Sequence, residues 1–179
     1  MLEIHHKLLA VLFASRDPVE ITQLQEVFAG LSPQELREEM QVLQEEFNAL
    51  QQAVAIRAVA GGFRITTLPE HHEVIREFLK TRPSSKLSLA ALETLAVIAY
   101  KQPITMPEVA EIRSIKGTST VHTLLQKKLI ETRGRRKTVG RPMQYGTTRE
   151  FLVHFGLNDL SELPTLKELE EILEQAEGS

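Results

Sequence analysis

The order helix, helix, helix, hairpin is written twice in this chain, and that repetition narrows the possible folds more than any other feature. Ile4, Leu8, Val11 and Leu12 recur at helical spacing. Asp17-Pro18 stops that helix, because proline has no amide hydrogen to give the ladder. A second helix places Ile21, Leu24 and Phe28 inward and ends at Gly30. Ser32-Pro33-Gln34-Glu35 reads as a capping box and opens a long helix carrying Leu36, Met40, Leu43 and Phe47. Val54, Ile56 and Ala58, then Phe63, Ile65 and Thr67, alternate on either side of Gly61-Gly62, which predicts a β-hairpin. A short amphipathic helix near residues 70–80, with Val74, Ile75 and Phe78, follows.

Beyond a polar stretch, the pattern starts again. Ser88 caps a helix from Leu89 to about Lys101, and Thr105-Met106-Pro107-Glu108 is a second capping box before Val109 and Ile112. A third helix from about Thr118 to Lys128 turns Val121, Leu124 and Leu125 inward. Strands around Leu129–Arg133 and Met143–Thr147 flank the basic loop GRRKTVGRP. The helix REFLVHF stops at Gly156, and after Pro164 the spacing of Leu166, Leu169, Ile172 and Leu173 predicts a short acidic helix. A shift of 85 positions sets Pro18 on Pro103, Val19 on Ile104, Ala14 on Ala99, Leu24 on Val109, Val27 on Ile112 and Leu36 on Val121. Three short helices and a hairpin make a winged helix. The expected fold is therefore α+β, mostly α: two tandem winged-helix domains at 1–80 and 88–160, a linker at 81–87 and an acidic tail at 161–179. Each is small for an independent core, so burial against a neighbour would help both.

Charge follows the same division. Residues 1–80 hold 7 Lys/Arg against 12 Asp/Glu, a balance of −5; residues 81–160 hold 13 against 6, or +7; the last nineteen hold 1 against 6, or −5. Hydrophobic residues at 42% and charged residues at 25% are the proportions of a folded chain. No apolar run approaches the ~20 residues that span a bilayer, and the start lacks a basic leader and a small-residue cleavage site, so a cytoplasmic location is expected. Cysteine is absent, which removes disulfides, thiolate zinc sites and cysteine nucleophiles at once. With no Trp and only 7 Phe and 2 Tyr, base-stacking platforms have little material.

No catalytic constellation emerges. GxxxxGK[ST] and GxSxG are both missing, and Gly61-Gly62 sits in a hairpin instead of between a strand and a helix. His5-His6 and His71-His72 are neighbours, so each pair faces different sides of a helix, whereas helical metal sites favour spacing of four. No cofactor and no metal are expected. Two surfaces remain. Lys127, Lys128, Arg133, Arg135, Arg136, Lys137 and Arg141 gather on the third helix and wing, the elements that could meet DNA. About five phosphate contacts would give a salt slope near −4.5; a solvated hairpin tip explains the same charges. The helix 89–100, apolar on nearly every side, offers the second surface, a groove ending at Tyr100, Lys101, Gln102 and Pro103. Burying a Leu or Val there is worth about 1.5–3 kcal/mol, against about 0–1 for an exposed ion pair, so the apolar surface is the stronger source of affinity.

The blocks LSLAALETLAVIAYKQPIT (87–105) and VGRPMQYGTTREFLVHFGL (139–157) resemble the segregation and condensation protein B (ScpB) family, as do VLFASRDP (11–18), VAGGFRITT (59–67), EIR (111–113) and LIETRGR (129–135). Ser114 and Lys128 stand where that pattern has glycine, and His122 where it has arginine. The resemblance implies a non-enzymatic adaptor that binds the kleisin (segregation and condensation protein A) and through it the SMC ATPase, in chromosome condensation and partition. It implies a homodimer formed chiefly by the first module, with Ile4, Leu8 and Val11 as candidate interface residues, and a nucleoid association. For the kleisin it points to Tyr100, Lys101, Pro103, Arg141 and Tyr145, although Arg141 and Tyr145 equally fit a role in pinning the wing to the core. DNA contact by Lys127, Lys128, Arg135, Arg136 and Lys137 would be weak or indirect. The alternative from another class is a winged-helix transcription regulator acting through its basic half.

Overall fold

The computed structural model describes residues 2–79, 87–113, 119–165 and 167–168. In the N-terminal half, α1 (Leu2–Ala14), α2 (Ile21–Val27) and α3 (Pro33–Ala49) precede the antiparallel strands β1 (Val54–Val59) and β2 (Gly62–Thr67), and α4 (His72–Leu79) follows them. In the C-terminal half, α5 (Leu89–Lys101) leads through the short β3 (Ile104–Thr105) into α6 (Met106–Arg113) and α7 (Ser119–Gln126). Strands β4 (Ile130–Arg135) and β5 (Met143–Thr147) and helix α8 (Arg149–Phe155) complete it. The chain is thus mixed α+β, mostly helical, with two small sheets.

Local chemistry sets the ends. The Ser32 hydroxyl accepts from the Glu35 amide at 3.2 Å while the Glu35 carboxylate accepts from the Ser32 amide at 2.7 Å, so two orphan donors of α3 are satisfied reciprocally. Ser88 and Thr148 cap α5 and α8 through the amides of Ala91 and Phe151. Gly156 ends α8 in the left-handed region at φ 70°. Each half closes its own core: Leu8, Leu12, Leu24, Leu36, Met40 and Ile56 in one, Leu95, Ile98, Leu124 and Ile130 in the other, with no buried residue shared among the described residues.

The 85-residue shift has a physical counterpart. Val19 makes an isolated antiparallel bridge to Phe63 beside a two-stranded sheet, and Ile104 pairs with Tyr145 as part of β3, the third strand of the other sheet, so both positions join the hairpin of their half. Leu24 and Val109 are both buried, as are Leu36 and Val121.

Some expectations change. Helix α7 ends at Gln126, because Lys128 takes φ 56° and the Leu129 amide turns back to the Leu124 carbonyl. Lys127 and Lys128 therefore lie in the turn after α7 instead of on it. Helix α4 has no buried residue; Val74 and Phe78 are exposed. Of the linker at 81–87 only Leu87 lies within the described residues, and most of the acidic tail, including Leu166 and 169–179, lies outside them.

Candidate partner-binding surface

Gln102, immediately after α5, fixes the geometry of the C-terminal surface. Its Oε1 accepts from the Thr147 amide at 2.8 Å, and its Nε2 donates to the Ala99 carbonyl at 3.0 Å. This ties the end of α5 to β5, and β3 then pairs with β5 through Ile104–Tyr145 and Thr105–Gln144. Glu108, at the start of α6, accepts from both the amide and the hydroxyl of Thr105, at 2.9 and 2.7 Å. Its other oxygen accepts from Arg136, which arrives from the loop after β4. The Thr105 backbone and hydroxyl, with Arg136 behind them, hold the Glu108 carboxyl below the usual glutamate range. These ties frame a cleft of about 300 Å³ lined by Lys101, Pro103, Ile104, Glu108, Glu111, Ile112 and Arg136. Its floor is the buried Ile104, and Ile112 in its wall is 53% exposed.

The structure brings together only some of the residues expected at the kleisin site. Lys101 and Pro103 share the cleft. Tyr100 lies just before them, and its hydroxyl donates to the Pro164 carbonyl at 2.7 Å, so it holds the chain leaving α8. Tyr145 is half-buried and packs against the core. Arg141 sits on the wing at φ 42°, its carbonyl accepting from Arg135 at 3.1 Å. The sequence gives Glu108 a capping role and sets Ile112 beside Val109 on a helix, but it assigns neither of them, nor Glu111 of the EIR motif, to this cleft. The signal available was the shift itself: Val27, the counterpart of Ile112, is also exposed and also lines a cleft. That cleft, about 500 Å³, lies among Glu3, Ile4, Lys7, Val27, Phe28 and Leu31.

The basic cluster is less free than its composition suggests. Arg133 donates to the Thr147 carbonyl at 2.9 Å and pairs with Glu131 at 3.0 Å. Arg135 is turned onto the Arg141 carbonyl, and Arg136 pairs with Glu108. Lys137 is exposed in the wing loop, and α7 itself, STVHTLLQ, carries no Lys or Arg.

On α1, Leu8 is fully buried in its own core and cannot also meet another molecule, which corrects its assignment to a dimer interface. Ile4 and Val11 pack against the same core but are partly accessible. Phe13 is 83% exposed. His5 is buried between Glu39 and Glu46, at 2.8 and 3.2 Å, which gives this histidine a place in the packing of α1 on α3. Among the described residues no three His, Cys, Asp or Glu side chains gather as a metal site, and no helix is long and apolar enough to cross a membrane.

The accessible features are thus shallow clefts with apolar floors and charged rims, on a small helix-rich α+β protein. A family model described as "Segregation and condensation complex subunit ScpB" matches residues 6–166. The segregation and condensation protein B of Symbiobacterium thermophilum is 46% identical over 158 residues, 88% of this chain and 71% of that protein. That of Clostridium tetani is 40% identical over 160 residues, 89% and 84% of the two chains. Among solved structures, ScpB from Mycobacterium tuberculosis is 28% identical with a TM-score of 0.41, over 87% of this chain and 96% of that one. A conserved hypothetical protein from Chlorobium tepidum is 38% identical with a TM-score of 0.39, over 88% and 100%. The chain belongs to the ScpB family.

Proposed function

We propose that this chain is a non-enzymatic adaptor of the SMC–kleisin complex, acting in chromosome condensation and segregation. The observation that carries the reading is membership of a family of segregation and condensation subunits across residues 6–166. Its two halves are tandem winged helices, 1–80 and 88–160, joined by the linker at 81–87. The backbone pairing of Val19 with Phe63 and of Ile104 with Tyr145, at equivalent positions in the two halves, supports that reading. The kleisin binds the C-terminal half along the outer side of α5 and the cleft of Lys101, Pro103, Ile112 and Arg136, where an apolar floor supplies affinity and the charged rim sets register. The N-terminal half forms the homodimer, with Ile4 and Val11 at its edge. The protein works in the cytoplasm at the nucleoid and reaches the SMC ATPase through the kleisin. DNA contact is weak or indirect, in keeping with the intramolecular partners of Arg133, Arg135 and Arg136.

Mass-resolved chromatography of the full chain with its kleisin tests this. A stable complex at micromolar concentration, little changed between 50 and 200 mM salt, is the expected result. Absence of a complex overturns the proposal. Replacing Ile112 by Glu places an uncompensated carboxylate in the apolar wall and is expected to weaken the complex by roughly 1–3 kcal/mol.

A further inference from the structure

The chain's only adjacent arginines stand just before an exposed hydroxyl on the wing. The run is Arg135-Arg136-Lys137-Thr138-Val139, with a further arginine at 141. Lys137 and Thr138 are exposed and Val139 at the tip is fully so, which puts the threonine on a projection that a second macromolecule can surround. The Arg141 amide donates to the Thr138 carbonyl at 2.9 Å and Gly140 takes φ 78°, so residues 138–141 form a tight turn. One backbone hydrogen bond closes that turn, and straightening it into an extended segment costs little. Arginines two and three positions before a threonine, with an apolar residue after it, suit protein kinases whose substrate groove is lined with carboxylates.

A phosphate on this hydroxyl would arrive among arginines. Arg135 already donates to the Arg141 carbonyl at 3.1 Å, so these two converge at the base of the turn. Arg136 has a second allegiance: it pairs with Glu108 on the rim of the cleft of about 300 Å³. We infer that Thr138 is a phosphorylation site for an arginine-directed Ser/Thr kinase, and that phosphate there draws Arg136 off Glu108 and loosens the cleft's hold on its partner. In the transfer, the Thr138 oxygen bonds to the γ-phosphorus of ATP, the bond to the bridging oxygen of ADP breaks, and the hydroxyl proton passes to the kinase's base. The phosphate brings a charge of about −1.5 to −2 and three strong acceptor oxygens, more than a single carboxylate offers. The Arg136 and Glu108 side chains are about two-fifths and one-third exposed, so their pair is screened and readily exchanged. Without Arg136, the rim keeps Lys101 against both Glu108 and Glu111. A partner docking over the apolar floor must then desolvate an unpaired carboxylate.

The full chain treated with cAMP-dependent protein kinase and ATP is expected to carry phosphate at Thr138, located by peptide mass and missing from Thr138→Ala. Thr138 left unmodified overturns the acceptor assignment. Capture by the arginines is read by phosphorus NMR: the second ionisation of the phosphothreonine is expected to fall below about 6, its ordinary value. A midpoint at that value overturns the capture. The effect on the cleft rests on the adaptor reading above and has its own measurement. The phosphorylated chain is expected to bind the kleisin about fivefold more weakly than the untreated chain, the upper end for an exposed pair. Glu108→Gln, with no ion pair to surrender, is expected to bind equally in both forms. Equal affinity of the two forms of the parent, or the same loss in Glu108→Gln, overturns the switch. Failure of the untreated chain to bind overturns the adaptor reading, and the switch with it, while the mass and NMR measurements still decide the site.

Discussion

Adjacent glycines in the first hairpin do different work. Gly61 sits at φ 77° with open space where a Cβ would be, so what it supplies is a left-handed conformation. Gly62 needs no unusual φ; a Cβ there would lie 2.8 Å from the Val19 carbonyl oxygen and 2.9 Å from its carbon, both backbone atoms that cannot step aside. The closeness exists because Val19 and Phe63 exchange two 2.8 Å hydrogen bonds. Asparagine tolerates the left-handed region, so Gly61→Asn is expected to cost under about 1 kcal/mol. Gly62→Asn, by overpacking, should cost about 1–3 kcal/mol or more, and thermal melts of the two variants separate these outcomes. GG in the sequence predicted a turn but not this division of labour, which depends on a strand forty-three residues earlier. Glu108 is a similar case: its capping role was legible from Thr105-Met106-Pro107-Glu108, its pairing with Arg136 was not. Its folded pKa lies below the unfolded value, so the stabilisation is present above the ordinary glutamate range, about 4.3, and is lost as pH falls through the folded value. Melting temperature against pH is therefore expected to fall less steeply below about pH 4.5 for Glu108→Gln than for the parent.

Helices and strands were read well wherever a cap or an alternating row announced them, and less well where the structure depends on what lies opposite. The capping boxes at Ser32 and Thr105 and the stop at Gly156 all fall where the residues place them. Helix α7 was read too long because Lys128, a residue with no special claim to positive φ, takes the left-handed position that ends it. Its amide and carbonyl are held by Leu125 and Thr148, and that over-determination lets a lysine stand in a conformation that favours glycine. Helix α4 illustrates the opposite limit: Val74, Ile75 and Phe78 have the spacing of a packed helix, yet Val74 and Phe78 remain exposed. Periodicity states which face is apolar, and only tertiary context states what covers it. The same distinction governs DNA. A run of cations in sequence is a count of charges, whereas phosphate contacts require side chains free to reach. With Arg135 bonded to the Arg141 carbonyl, Arg136 paired with Glu108 and α7 without basic residues, non-specific duplex binding is expected to show a salt slope shallower than −4.5, the value for about five contacts. Lys137→Ala should reduce the slope by about 0.9, and Arg136→Ala by clearly less, in a fluorescence titration over salt.

Among the described residues, hydrogen bonds and an ion pair join the two halves. Arg149, the first residue of α8, donates to the Pro18 carbonyl at 3.2 Å and pairs with Glu20 at 3.0 Å. From the hairpin turn, the Ala60 amide donates to the Leu157 carbonyl at 2.9 Å and the Gly61 amide to Asn158 Oδ1 at 3.1 Å. Among the described residues no buried apolar residue is common to the two cores. Relative motion is the default for domains unless a large apolar interface joins them. Arg149 and Glu20 are each more than two-fifths exposed, so their pair is worth about 0–1 kcal/mol. The charge asymmetry visible in the sequence, an acidic half followed by a basic one, does not say which residues pair across the contact. Arg149→Glu sets two carboxylates against each other, and small-angle scattering is expected to show a larger maximum dimension. Each half should keep its stability within about 0.5 kcal/mol, as surface changes usually do. Adding Glu20→Arg restores the attraction with its sign reversed and should return the compact profile, and raising salt should blunt both effects because the pair is solvent-exposed. If the single variant scatters like the parent, the backbone hydrogen bonds at Ala60 and Gly61 are sufficient to hold the halves and the ion pair is only an accompaniment.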